Sequence, residues 1–181
     1  VIGGGLLGLE AAYGLKQRGI NVTVLHLMDR IMERQLDGRA SRLLRESIEA
    51  KGINIITQAN TEQLIGEDGH VTQIKLKDGT VLDADLVVFA VGIRPNMALA
   101  QSAGLRCNRG VMVNDTMQTF DPSIYAVGEC IEHRGQTFGL VEPLWGQAFI
   151  CASHLAEHGS LTFKAPTVPT QLKVSGCDVF S

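Results

Sequence analysis

Gly3-Gly4-Gly5-Leu6-Leu7-Gly8 stands between the apolar pair Val1-Ile2 and an apolar helical surface made by Leu6, Leu7, Leu9, Ala11, Ala12 and Leu15. The spacing is G-x-G-x-x-G. Its setting, after a strand and opening a helix inside a βαβ unit of about 30 residues, is the one a dinucleotide fingerprint demands. Gly3 permits a tight turn, Gly5 lets a pyrophosphate come against bare backbone, and Gly8 lets helix and strand pack closely. The free amides around Leu6 and Leu7 and the helix dipole then face the anion. The alternative is a flexible glycine turn without a ligand, and the βαβ context favours the dinucleotide.

The rest of the chain fits that opening. The helix stops at Arg18-Gly19, and Ile20 to Leu27 reads as a buried strand. Asp37 to Lys51 carries Leu43, Leu44 and Ile48 at helical spacing, and Gly52 ends it before Ile53-Asn54-Ile55-Ile56. Strand, helix, strand, helix, strand predicts parallel strands with right-handed crossovers, hence an α/β Rossmann-like doubly wound sheet with ligands at the carboxyl ends of its strands. From Gln63 to Leu82 three short alternating runs are punctuated by Asp68-Gly69 and Asp78-Gly79, which predict an antiparallel β-meander. Leu86 to Val91 is a continuous apolar run of the kind found in a strand covered on both faces, and it breaks at Gly92-Ile93-Arg94-Pro95-Asn96. Residues 97–115 read as a short helix plus strand, Ile124 to Val127 as another buried strand, and Pro143 to His158 as a helix. Leu172 to Gly176 shows strand-like alternation without an evident pairing partner.

Composition removes several functions. With 16 basic and 19 acidic residues in 181, a formal charge of −3 and no basic run, the chain lacks the footprint of a nucleic-acid binder. No stretch nears the roughly 18 apolar residues of a membrane span, and no basic n-region opens the chain, so a membrane partner is not expected and a cytoplasmic location is. Cys107, Cys130, Cys151 and Cys177 show no Cys-x-x-Cys pair, so neither zinc, an iron–sulfur cluster nor a redox dithiol has its usual spacing. They read as reduced, mostly buried thiols. Val1 is not methionine, and both ends look interrupted, which suggests an internal segment of a longer protein.

Cofactor choice turns on the end of the second strand, where an Asp or Glu usually bridges the adenine ribose hydroxyls. His26 stands there instead. A neutral imidazole can bond one hydroxyl, or His26 is simply a satisfied strand-end side chain; nearby Arg30 could accommodate a 2′-phosphate and Asp29 would oppose it. NADH and NADPH both stay open, with a lean to NADH. Val91-Gly92, at the carboxyl end of the fourth parallel strand, would let the nicotinamide half lie across the sheet edge. A plain strand-exit turn is the other reading.

Thr119-Phe120-Asp121-Pro122-Ser123-Ile124-Tyr125-Ala126-Val127-Gly128-Glu129-Cys130 forms a second motif. Together with Gly3 to Glu10 and Val88 to Asn96, it resembles the FAD-dependent pyridine nucleotide–disulfide oxidoreductase superfamily, whose T-x-x-P-x-I-Y-A-x-G-D segment binds the ribityl chain of FAD. Glu129 replaces the usual Asp. The stretches Gly3 to Ala12, Met32 to Asp37, Asp115 to Thr119 and Val127 to Gly135 are similar to the large subunit of NAD(P)H-dependent nitrite reductase, and the likeness runs through nearly the whole chain. That resemblance implies a diaphorase passing hydride from NADH or NADPH to FAD, then electrons through iron–sulfur centres to sirohaem, where nitrite becomes ammonium. The metal centres would lie outside this segment, in remaining domains of the parent protein.

The resemblance also implies an order of domains. Residues 1–115 would be the NAD(P)H domain, 116–165 the second half of an FAD domain, and 166–181 a linker and the start of a C-terminal domain. The ADP end of FAD would then have no cradle here. Gly128 and Glu129 are the FAD candidates. Glu10 is either a carboxylate favoured by the dipole of the first helical turn or, as in flavin enzymes of this fold, a residue facing nicotinamide and flavin. Glu142 reads as a first-turn carboxylate or a flavin neighbour, and Trp145 and the five methionines as core. His154 and His158, at i and i+4, read as an exposed helix end rather than a metal pair, and Cys130 as packing. No catalytic nucleophile is needed, since the cofactors carry the chemistry. Competing readings are a rubredoxin or ferredoxin reductase-type flavoprotein and a non-catalytic dinucleotide-sensing module.

Overall fold

The computed structural model describes residues 1–157, 159, 161–166, 171–174 and 177–180. It is an α/β fold that divides into two compact units, Val1–Gly92 with Pro169–Ser181, and Ile93–Val168. The division falls at Gly92, ahead of the 115/116 boundary expected from the sequence, so residues 93–115 pack with the second unit.

In the first unit, α1 (Leu6–Gln17) is built from good helix formers and ends where Gly19, at φ +80°, closes it. The Ile20 amide donates to the Leu15 carbonyl and the Gly19 amide to that of Lys16, the double bond of a Schellman stop. The chain enters β1 (Val22–Leu25), then α2 (Gly38–Ala50), whose Asp37 cap accepts from the Ala40 amide at 2.8 Å. β2 (Ile53–Ile56) pairs parallel with β1, Val22 opposite Ile53. Ile2 forms parallel bridges to both Leu25 and Phe89. The order across the sheet is thus β2, β1, the opening residues, and the Val88–Ala90 segment. Leu9 and Ala12 of α1, Leu44 and Ile48 of α2, and Val24, Ile53 and Ile55 of the strands make one buried cluster.

The predicted meander is present as β3 (Thr61–Glu67), β4 (His70–Leu76) and β5 (Val81–Asp83). Asp68 and Gly69 both take positive φ, +51° and +79°, as a two-residue hairpin loop matched to strand twist requires. Ile74 and Leu76 turn inward onto Ile2 and Leu25.

The second unit holds α3 (Ala98–Ser102), a three-stranded sheet of β6 (Val111–Val113), β7 (Ile131–His133) and β8 (Gln136–Thr137), and α4 (Val141–Leu155). Its core is Met117, Ile131, Phe138, Ile150, Cys151 and Phe163. Strands β9 (Gln171–Val174) and β10 (Cys177–Phe180) belong to the first unit and pair antiparallel. Leu172, Val174 and Cys177 join the first cluster.

Four expectations are corrected. Leu86 to Val91 is not covered on both faces: the Ile2 segment hydrogen-bonds one of its edges, which leaves its faces uncovered there, and Phe89 is 61% and Val91 68% exposed. Ile124 to Val127 is not a buried strand; it folds back on Met117–Thr119 through one bridge and the Thr119–Ile124 and Ala126–Met117 bonds, following the turn at Asp121-Pro122. Leu172 to Val174 does have a partner, β10. Trp145 is exposed, and of the methionines only Met32 and Met117 are buried.

Candidate dinucleotide and flavin sites

Each glycine of the first loop occupies a different environment. Gly3 has φ +119°, and a Cβ there would run into the Ala90 carbonyl. A Cβ on Gly8 would run into the Gly3 carbonyl oxygen, so α1 can approach the sheet only with glycine at this position. Gly5 is the N-cap of α1, at φ −87°, and a Cβ there would meet nothing within 4 Å. Bare backbone thus borders open space at the place where a helix presents its unbonded first-turn amides, and no side chain caps them. This cradle has the shape and polarity a pyrophosphate requires, and Leu6 and Leu7 contribute its first helical amides.

Gly4 is tied down on both sides. Its amide donates to His26 Nδ1 at 2.9 Å, and its carbonyl accepts from the Met32 amide at 3.0 Å. His26 Nε2 lies 3.0 Å from Glu33 Oε2. His26, 8% exposed, therefore has both ring nitrogens engaged within the chain, which corrects the expectation that it would bond a ribose hydroxyl. Arg30 approaches Asp29 at 3.6 Å and its buried Nε has no partner among the described residues. Glu10 lies on α1 beyond the first turn, since the helix starts at Leu6, so the dipole argument for a carboxylate there is weaker than the sequence suggested. Val91 and Gly92 are exposed at the end of the Val88–Ala90 segment, Gly92 at φ +93°.

In the second unit, Gly128 has φ +104° with no atom within 4 Å of a would-be Cβ, and Glu129 beside it is exposed. The Gly128 amide donates to Gln147 Oε1 at 2.8 Å. Gln147 is fully buried on α4, and its Nε2 lacks a partner among the described residues. An open glycine and an orphaned buried amide next to each other suit an approaching polar chain such as ribityl. Sequence reasoning missed Gln147, whose signal was a lone amide on an otherwise apolar helix face. Glu142 occupies the first turn of α4. Cys130 Sγ faces the Val127 carbonyl, and burial pushes the Cys151 thiol up. All four cysteines are free, two of them buried.

Two carboxylate clusters, one buried and one half-exposed, shape the second unit. Burial alone would raise the Glu132 carboxyl, yet donors from the Arg109 amide, the Asn108 side chain and the Gly110 amide outweigh it and hold it below the usual range. Asp115 is held well below that range by the Arg134 guanidinium and by His133 Nε2, 2.8 Å away. His154 bonds the Tyr125 hydroxyl at 2.8 Å rather than standing at a bare helix end, and His158 lies outside the described residues. No group of three or more His, Cys, Asp or Glu among the described residues could hold a metal ion.

A glycine loop opening a helix at the carboxyl end of a parallel sheet and an open Gly-acid turn against a second helix fit an NAD(P)- and flavin-type α/β oxidoreductase fold. The sequence profile of the pyridine nucleotide-disulphide oxidoreductases matches residues 1–148, and the chain belongs to that family. It is 52% identical over its whole length to a nitrite reductase [NAD(P)H] of Bacillus subtilis and 46% identical to the assimilatory nitrate reductase electron transfer subunit of the same organism. It spans 22% and 23% of those two proteins. Among solved structures, an FAD-dependent pyridine nucleotide-disulphide oxidoreductase from Desulfovibrio vulgaris superposes on 96% of the chain with a TM-score of 0.87 at 34% identity, over 45% of its own length.

Proposed function

We infer that the chain is the NAD(P)H-binding and partial FAD-binding region of a flavin-dependent reductase that passes hydride from NAD(P)H to FAD and electrons onward to reduce nitrite to ammonium. The observation that carries the reading is the Gly3–Gly8 cradle, where backbone amides and open space at Gly5 meet. The terminal acceptor rests on the whole-length similarity to the Bacillus subtilis nitrite reductase. By this reading the first unit and the Gly3–Gly8 loop serve NAD(P)H, and Gly128 and Glu129 serve FAD.

The bound cofactors supply the hydride donor and acceptor. The chain's own residues bind and orient. First-turn amides of α1 receive the pyrophosphate, and the exposed Val91-Gly92 exit leaves the sheet edge clear for the nicotinamide half. Gln147 fixes the Gly128 turn so that the Glu129 carboxylate can accept a ribityl hydroxyl. Iron–sulfur centres and sirohaem would be held by other parts of the parent protein. Free cysteines accord with a reducing, cytoplasmic setting, and no described helix is long and apolar enough to cross a membrane.

The test is an assay of the parent protein carrying this segment. NADH- or NADPH-dependent loss of nitrite with matching ammonium is expected. Reduction of an artificial dye without nitrite turnover would leave a reductase with another acceptor, and nucleotide binding without any flavin reduction would point to the sensing module instead.

A further inference from the structure

The end of β1 lacks its expected carboxylate in sequence, but the fold brings one against the His26 that stands there. Gly4, His26, Glu33 and Met32 form a closed circuit. The Gly4 amide donates to His26 Nδ1, His26 Nε2 meets Glu33 Oε2, Glu33 follows Met32 in the chain, and the Met32 amide donates back to the Gly4 carbonyl. A backbone amide can only donate, so Nδ1 is the acceptor and Nε2 carries the hydrogen that Glu33 receives. Ile31 reinforces the circuit: its side chain lies against Gly4, and its carbonyl accepts from the buried Ser41 hydroxyl at 2.7 Å.

Glu33 is thereby fixed one imidazole away from the glycine loop, with its side chain still 21% exposed. Its second oxygen, Oε1, has Arg34 Nε at 3.9 Å, too far for a hydrogen bond, and that arginine is 86% exposed. An acceptor oxygen held in place beside a nucleotide cradle suits a vicinal diol, and its charge opposes a phosphate.

We propose that Glu33, positioned by His26, accepts the adenosine ribose hydroxyls of the dinucleotide and repels a 2′-phosphate, making the site selective for NADH over NADPH. This rests on the dinucleotide reading of the Gly3–Gly8 loop. His26 acts through Glu33 and is a positioning residue. Arg30, the remaining cation of the turn, leans toward Asp29.

The experiment is a set of fluorescence titrations of the protein and its Glu33→Gln variant with NADH, with NADPH and with an NADH analogue lacking the adenosine 2′-hydroxyl. Loss of a charged hydrogen-bond acceptor is expected to weaken NADH about tenfold. NADPH should bind the variant as well as or better than the unaltered protein, and the deoxy analogue should be much less affected than NADH. His26→Gln should move the NADH to NADPH ratio in the same direction by less. If Glu33→Gln does not fold, Glu33→Asp, which keeps the charge but withdraws it by one methylene, is expected to show a smaller shift of the same sign. A tenfold preference of the unaltered protein for NADPH, or an equal or absent effect of the variants on all three ligands, would overturn the inference while leaving the cradle intact. Failure of the unaltered protein to bind any of them would overturn the dinucleotide reading as well.

Discussion

A single methyl group separates the roles of the loop glycines. At Gly8 a Cβ would press on the Gly3 carbonyl, whereas at Gly5 it would enter open space at an ordinary φ of −87°. Gly8→Ala is therefore expected to cost roughly 1–3 kcal/mol of stability in urea denaturation. Gly5→Ala should leave stability within about 0.5 kcal/mol and instead weaken NADH, since only a ligand would meet the new methyl. Asp115 gives a pH test. Its folded carboxyl is depressed, so the stability it contributes is present above the unfolded value of about 4 and is lost as pH falls below it. Asp115→Asn should lower the urea midpoint near neutral pH, and the gap should close in acid; it will be modest because the side chain is 34% exposed. A gap that widens in acid would contradict the assignment. The packing roles of Gly3 and Gly8 were legible in sequence because they follow from local backbone geometry. Which of the two readings of His26 holds was not legible, because its partners, Gly4 and Glu33, meet it only through the turn that brings Met32 back to Gly4.

Elements were legible where their ends carry their own chemistry. Asp37 caps α2, Gly19 and Gly52 take positive φ just past α1 and α2, and Asp68-Gly69 closes the first hairpin of the meander. Asp37→Ala is expected to cost about 0.5–2 kcal/mol, read as a lower melting temperature with unchanged nucleotide affinity, because among the described residues the cap bonds the Ala40 amide of its own helix. Loss of affinity without loss of stability would place Asp37 in the site instead. Apolar runs were less informative. Leu86 to Val91 and Ile124 to Val127 have the composition of buried strands, yet composition states only that a surface is suited to burial, not that a neighbour covers it. The pairing of β9 with β10 escaped notice because the alternation after Cys177 is too short to register as a strand.

At the scale of the whole molecule the chain is two compact units with separate cores, built by an interrupted stretch of sequence in which residues 169–181 return to the first unit. The order of motifs was readable, whereas the break at Gly92 depends on tertiary packing of residues 93–115. The chain has one glycine fingerprint, and in the proposed reading Gly128 and Glu129 would address only the ribityl part of a flavin. By itself, the chain is accordingly expected to purify without colour; stoichiometric FAD in the purified chain would contradict the half-site reading. The most direct measurement is calorimetric titration of the chain with NADH alongside Gly5→Val. Binding by the unaltered chain that disappears in an equally stable variant is the expected result. Absence of binding, or equal binding by both proteins, would show that the open backbone between Gly3 and Gly8 does not hold a nucleotide.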